Sequence, residues 1–262
     1  MKVSSNQQSK LSFNAISLAQ WRCKTLNNKI KNINIVSFEP KDINFVENFI
    51  KKIDYICKND ISKKEMVDIT IKTIRDILYN IKDKNFAKVK TYLAVQEGTP
   101  CGLLIGNIPK QIQGSDNTRY SARHNCAKNE TELDWLVTWQ PRGKSKIKGV
   151  GKALVCEYFR TIKKEKFRDV FVRAEIPENS YATSFYESLG FEKLNEKRLK
   201  LSNKNSAQYY VIKNYGCETD DGNISMLITR KILQEITEYL SKTMCRKEFK
   251  KSSIDAEDLI KI

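Results

Sequence analysis

The stretch that decides the fold is KIKGVGKALV, Lys146–Val155. Gly149 and Gly151 stand one residue apart among Lys146, Lys148 and Lys152, and Val150, Leu154, Tyr158 and Ile162 then recur with helical spacing. Upstream, ELDWLVTW (Glu132–Trp139) alternates as a strand should. Leu133, Trp135, Val137 and Trp139 are expected on one face, and Glu132, Asp134, Leu136 and Thr138 on the other. Strand, glycine loop and helix in succession aim backbone N–H groups and the positive end of a helix dipole at one point. That point suits an anion, and glycine lets the anion approach the backbone closely.

Three loop templates compete for these letters. A nucleotide-hydrolysing G-x-x-x-x-G-K-[ST] loop ending on Gly151-Lys152 would need glycine at 146 and a hydroxyl residue at 153. Lys146 and Ala153 stand there, so the magnesium-binding hydroxyl is missing. A dinucleotide G-x-G-x-x-G loop would need a third glycine where Leu154 stands, and an early position in the chain. The third template is [QR]-x-x-G-x-[GA] between a strand and a helix in mid-chain. Lys146-Ile147-Lys148-Gly149-Val150-Gly151 fits it, with lysine in first place.

A second motif follows at the right distance. Asn179, Ala182, Phe185, Tyr186, Gly190 and Phe191 fit N-x-x-A-x-x-[FL]-Y-x-x-x-G-F. With both motifs, the chain resembles the GNAT superfamily of acetyl-CoA-dependent N-acetyltransferases over about residues 33–214. It departs from the usual Pro-x-x-Arg approach to the loop, because RGKS separates Pro141 from Lys146. The resemblance implies an α/β (α+β) fold: a mixed, mostly antiparallel sheet flanked by helices, with the two strands around the glycine loop parallel and splayed. It implies acetyl-CoA as acyl donor, its pyrophosphate held by Lys146, Lys148, Gly149, Val150, Gly151, Lys152 and Ala153. It places the pantetheine arm along backbone near Val137 and Thr138, with Asn179 also at the cofactor site. Tyr186 would be the general acid that protonates the thiolate. The general base is left open among Glu132, Asp134 and Glu175, with His124 a weaker candidate.

The acceptor is then an amine. A lysine amine near pKa 10.4 costs about 4–5 kcal/mol to neutralise at neutral pH, whereas an α-amine near pKa 8 costs about 1 kcal/mol. Only the former calls for a base. The acceptor is read as a small molecule or a protein, with aminoacyl-tRNA or a ribosomal protein as an alternative. A non-catalytic acyl-CoA-binding or nucleic-acid-associated module is a third reading.

The rest of the chain is less specific. Its 262 residues and 40% apolar content suit one core with extensions. Six basic residues precede Glu39, the first acid, and the net charge of +16 admits a nucleic-acid partner. Lysine is spread throughout and no stacking aromatic cluster stands out, so that partner is not favoured. Seven scattered cysteines, no CxxC and a single histidine, His124, argue for reduced, mostly buried thiols and no metal site. No membrane span or signal peptide is read, so a cytoplasmic protein is expected. Residues 1–32 are expected as a basic N-terminal extension with a short helix at AISLAQWRCKTL. Residues 33–214 form the domain, and 215–262 a C-terminal extension with a helix at ISMLITRKILQEITEYLSKTM. Helices are also expected at KDINFVENFIKKIDYI and, behind a Ser62-x-x-Glu65 capping box, at SKKEMVDITIKTIRDILYNIK. Glu97–Pro100 is read as the turn of a hairpin, and FEKLNEKRLKL and AQYYVIKN as a last strand pair.

Overall fold

The structure, a computed structural model, describes residues 15–38, 68, 72, 88–108, 130–138, 146–164, 171–177, 181–193, 223–249 and 253–254. Alternation governs the first of these segments. Ala15–Thr25, expected as a helix, is strand β1. Its inward positions Ala15, Ser17, Ala19, Trp21, Cys23 and Thr25 are all buried. Ile16 and Leu18 put apolar letters on the outward face as well, which hides the period of two.

β1 pairs antiparallel with β2 (Ile30–Phe38), and β2 with β3 (Lys88–Gln96). β3 turns back into β4 (Thr99–Ile108) through Glu97 and Gly98, both at positive φ, the two-residue turn that matches strand twist. β5 (Glu130–Thr138) adds antiparallel to β4. β6 (Ile147–Lys148) leads into helix α1 (Val150–Lys164), followed by β7 (Phe171–Pro177), α2 (Tyr181–Glu187) and β8 (Glu192–Lys193). β9 (Asn223–Thr229), α3 (Arg230–Thr243), β10 (Lys247–Glu248) and β11 (Ser253–Ile254) complete the described elements. The strand order is β10-β1-β2-β3-β4-β5-β7-β9-β8, with β11 and β6 also on β1. Only β5 and β7 pair in parallel; every other described pair is antiparallel. The fold is thus α+β, with a mixed, mostly antiparallel sheet flanked by helices.

One further expectation changes. The expected C-terminal helix starts only at Arg230; its first six residues belong to β9, which lies between β7 and β8. Pairing with β7 along its whole length outweighs the helical reading. β8 pairs with β9; AQYYVIKN, the other half of the expected last strand pair, lies outside the described residues. The expected 1–32 extension supplies β1, and residue 32 falls inside β2; the expected 215–262 extension supplies β9, α3, β10 and β11. The helix expected at residues 41–56 is also outside the described residues. In the one expected over 62–82, Asp68 and Lys72 are helical and exposed.

α1 lies across the sheet where glycines admit it. A Cβ at Gly106 would sit 2.5 Å from the Tyr158 ring, and one at Gly102 2.9 Å from Leu154 Cδ1. Trp21, Ile33, Tyr92, Leu104, Leu154, Tyr158 and Phe159 form the centre of the core beneath it. Leu93, Val95, Leu103 and Ile105 alternate with that set and are buried too, so the middle of the sheet is covered on both faces.

One charge is set into this core. Glu157, on α1, accepts from Trp21 Nε1 at 2.9 Å and from Arg246 Nε at 2.6 Å and Nη2 at 3.2 Å. Arg246 also donates to Glu248 at 3.1 Å. Burial works against the guanidinium charge, but the two carboxylates outweigh it and hold its pKa above the usual arginine value. The C-terminal segment is thereby fastened to α1 and β1. Met244 O accepting from Arg22 N, and Phe249 N donating to Leu18 O, extend the attachment.

Candidate active site

The site begins with a misfit between two strands. β4 and β5 run in register until one residue too many appears: Ile105 faces Trp135 and Gly106 faces Leu133, leaving Asp134 as a bulge. The bulge inverts the alternation, so the expected common face of Leu133, Trp135 and Val137 does not form. Leu133 faces Gly106 on the α1 side, while Trp135 and Val137 face Ile105 and Leu103 on the other. The bend comes beside the end of the parallel pairing. β5 meets β7 only at Glu130–Phe171, Thr131–Val172 and Glu132–Arg173. Beyond that point β7 stays paired with β9 to Pro177, while β5 keeps only β4. A bulge bends its strand and increases its twist. The two parallel strands part, and backbone on the β7 side of Leu133–Thr138 has no described strand to pair with.

The glycine loop stands at the open end. β6 is held by β1, with Lys24 opposite Lys148 and Thr25 opposite Ile147, and Leu26 N donates to Lys146 O at 3.0 Å. Gly149 then takes φ +96°, a region that side chains rarely adopt, and a Cβ there would meet Met244 Cε at 3.0 Å. The first turn of α1 contains no acidic residue. Its first helical hydrogen bond runs from Ala153 N to Gly149 O, 2.9 Å. Among the described residues no acceptor occupies the N–H groups of Val150, Gly151 and Lys152, as expected of a helix start. The Ala153 N–H is engaged in that bond, and its methyl is in the core. Lys146 and Lys148 are exposed, and Val150 gives its side chain to the core while its N–H stays open. A Cβ on Gly151 would lie 3.2 Å from the Phe185 ring and 3.7 Å from Thr138 Cγ2. Glycine there lets Phe185 of α2 and the end of β5 pack closely against the start of α1.

α2 carries Tyr186. It ends in a left-handed Gly190 at φ +81°, with Gly190 N donating to Glu187 O and Phe191 N to Tyr186 O, the double bond that closes a glycine-capped helix. This fixes Tyr186, which is only 5% exposed. Its ring lies edge-on to Phe185 at 5.1 Å and to Phe191 at 5.0 Å, and Phe191 leads on to Phe159 of α1 at 6.1 Å. Burial pushes the phenol pKa well above its ordinary value, so the hydroxyl stays protonated.

Backbone placement brings Glu132 and Asp134 to the point where the strands part: Glu132 in the last parallel pair, Asp134 as the bulge. Asn179 and His124 lie outside the described residues. Sequence reasoning missed Met244 and Cys23 beneath Gly149, and Lys24 beside Lys148. They come from segments distant in the chain and carry no local signal. Among the described residues no group of His, Cys, Asp and Glu could hold a metal ion, and no described helix is long and apolar enough to cross a membrane.

No family model and no curated protein matches the sequence. Solved structures match in shape. The PaiA N-acetyltransferase of Thermoplasma acidophilum, in complex with coenzyme A, is 17% identical, covering 74% of this chain and 97% of that one, with a TM-score of 0.42. Protein bh2621 of Bacillus halodurans is 10% identical, covering 86% and 98%, with a TM-score of 0.46. The aminoglycoside acetyltransferase AAC(6')-Ib, in complex with coenzyme A and kanamycin, is 16% identical, covering 78% and 98%, with a TM-score of 0.43. These are likenesses of fold alone.

Proposed function

We propose that the protein is a GNAT-type N-acetyltransferase that transfers an acetyl group from acetyl-CoA to a primary amine by direct attack. The observation that carries this reading is the parting of β5 from β7 after three residue pairs, beside the Asp134 bulge, with the open start of α1 at its mouth. An unpaired strand edge inside a sheet takes an extended partner bearing amides. A helix start with free N–H groups takes a phosphate. A ligand combining the two is a pantetheine arm on a pyrophosphate.

Gly149–Lys152 would hold the pyrophosphate through backbone N–H groups, with Lys146 and Lys148 adding positive charge. Backbone of Val137 and Thr138 would pair with the arm. Bound acetyl-CoA supplies an activated acyl carbon and a thiolate leaving group. Backbone N–H groups near the bulge are the candidate donors that polarise the acyl oxygen. Glu132 and Asp134 are the candidate bases for an ε-amine acceptor, directly or through water.

Tyr186 is the general acid. Its raised pKa keeps the proton in place, though it also makes transfer less favourable than from an ordinary phenol. The leaving thiolate is the group this proton would go to.

The test is thiol release from acetyl-CoA against a panel of amines: lysine peptides, α-amino peptides, polyamines and aminoglycosides. Turnover with at least one acceptor is expected, and Tyr186→Phe should lower kcat by about 10²–10⁴-fold. If CoA binds but no amine turns over, the non-catalytic acyl-CoA-binding reading replaces this one. If Tyr186→Phe changes nothing with every acceptor, the acid role is lost.

A further inference from the structure

One buried polar atom has no use in the fold. Thr183 is 7% exposed, and its Oγ1 has no hydrogen-bond partner. A buried hydroxyl left unmade is costly, and native structures rarely keep one without a reason. Helical threonines usually return the hydroxyl to a carbonyl one turn back. Three others in this chain do so: Thr161 to Glu157 O, Thr237 to Leu233 O and Thr243 to Tyr239 O. Thr183 does not.

Its position gives the orphan atom a meaning. Thr183 and Tyr186 lie three residues apart on α2 and so share a face, and both are buried. The ring of Phe185, the neighbour of Tyr186, approaches Gly151. α2 packs on β7, the strand that β5 leaves. Thr183 thus lies one turn before Tyr186, on the helix that packs against β7.

We propose that Thr183 Oγ1 is a hydrogen-bond partner for the amide-bearing arm of the acyl donor. The inference rests on the acetyl-CoA reading above. An amide offers both a donor N–H and an acceptor C=O, and a hydroxyl rotor can meet either. The free protein bears an unsatisfied group that the ligand satisfies.

Calorimetric titration of CoA into the full-length protein tests this, with Thr183→Val as the same-shape variant without the hydroxyl and Thr183→Ser retaining it. Thr183→Val should bind CoA about 3–10-fold more weakly, and Thr183→Ser within about twofold of wild type. Without ligand, Thr183→Val should melt no lower than wild type, because it removes an unpaired polar atom from the interior. Wild-type affinity in Thr183→Val overturns the proposal, as does equal loss in both variants. A lower melting temperature for unliganded Thr183→Val also overturns it, since the hydroxyl would then be partnered in the free protein. No CoA binding by the wild-type protein overturns the acetyl-CoA reading together with this one; binding that ignores Thr183→Val overturns this one alone.

Discussion

Gly149 and Gly151 flank Val150, but alanine should act differently at each. Gly149 is at φ +96° with Met244 Cε 3.0 Å from the place a Cβ would take. Gly149→Ala should therefore destabilise the fold by about 1–2 kcal/mol, read from denaturation midpoints. Gly151 is already in α1, where alanine is the better helix former. Gly151→Ala should therefore fold, but its methyl would stand 3.2 Å from the Phe185 ring and push α2 back, so it should bind CoA more weakly; titration with CoA measures this. The cysteines give a second contrast. Cys23, Cys101 and Cys156 are buried, and burial alone lifts Cys23 to about 12, whereas Cys245 is exposed. Only thiolates react readily. Alkylation near neutral pH followed by peptide mapping should label Cys245 and leave Cys23 and Cys156 unmodified in the native protein.

Among the elements, β5 is the one whose irregularity has consequences. Its extra residue, Asp134, comes just after the last pair with β7, Glu132–Arg173. Removing that residue should let the β4 ladder run on without a bulge and carry β5 further along β7. The Asp134 deletion should retain a folded far-UV circular dichroism spectrum and lose CoA binding. Retained affinity would show that the bulge does not open the site. α1 shows the opposite economy: one helix supplies the core with Leu154, Tyr158 and Phe159, the loop with its open start, and the tail with Glu157.

For the whole molecule, the tail and the first strand hold each other. Arg246 and Glu157 are buried together, and removing one partner of such a pair leaves an uncompensated charge. Arg246→Ala should cost about 3–5 kcal/mol in denaturant unfolding. The double variant Glu157→Gln/Arg246→Met, which keeps an acceptor for Trp21 Nε1, should cost less. Stability should also respond to alkali. Cys23 and Cys156 have native pKa values of about 12 against 9.0, and Tyr186 is raised as well. Groups raised in the native state stabilise it fully below their unfolded pKa values. That stabilisation is lost as pH climbs from about 9 towards 12, because the unfolded chain releases its protons first. Denaturation midpoints should be level to about pH 8.5 and fall above about pH 9; a level profile to about pH 10.5 would contradict burial of these groups.

The glycine loop, the hairpin turn at Glu97-Gly98 and the motif that carries Tyr186 and Gly190 were legible in the sequence. Each is set by local chemistry: glycines that take positive φ, turn residues, a fixed spacing along a short helix. The parts that escaped depend on what lies across from them. β1 looks helical until β2 and α1 define which of its faces is inward. The first six residues of the last expected helix become β9 because β7 offers them a full ladder. Asp134 looks like one more alternating residue until the register with β4 leaves it without an opposite number. The sequence by itself determined where the backbone can turn and which residues can carry charge or a proton. Tertiary structure alone decided where the strands part, and it did so through a one-residue mismatch in pairing, which no local pattern of side chains records.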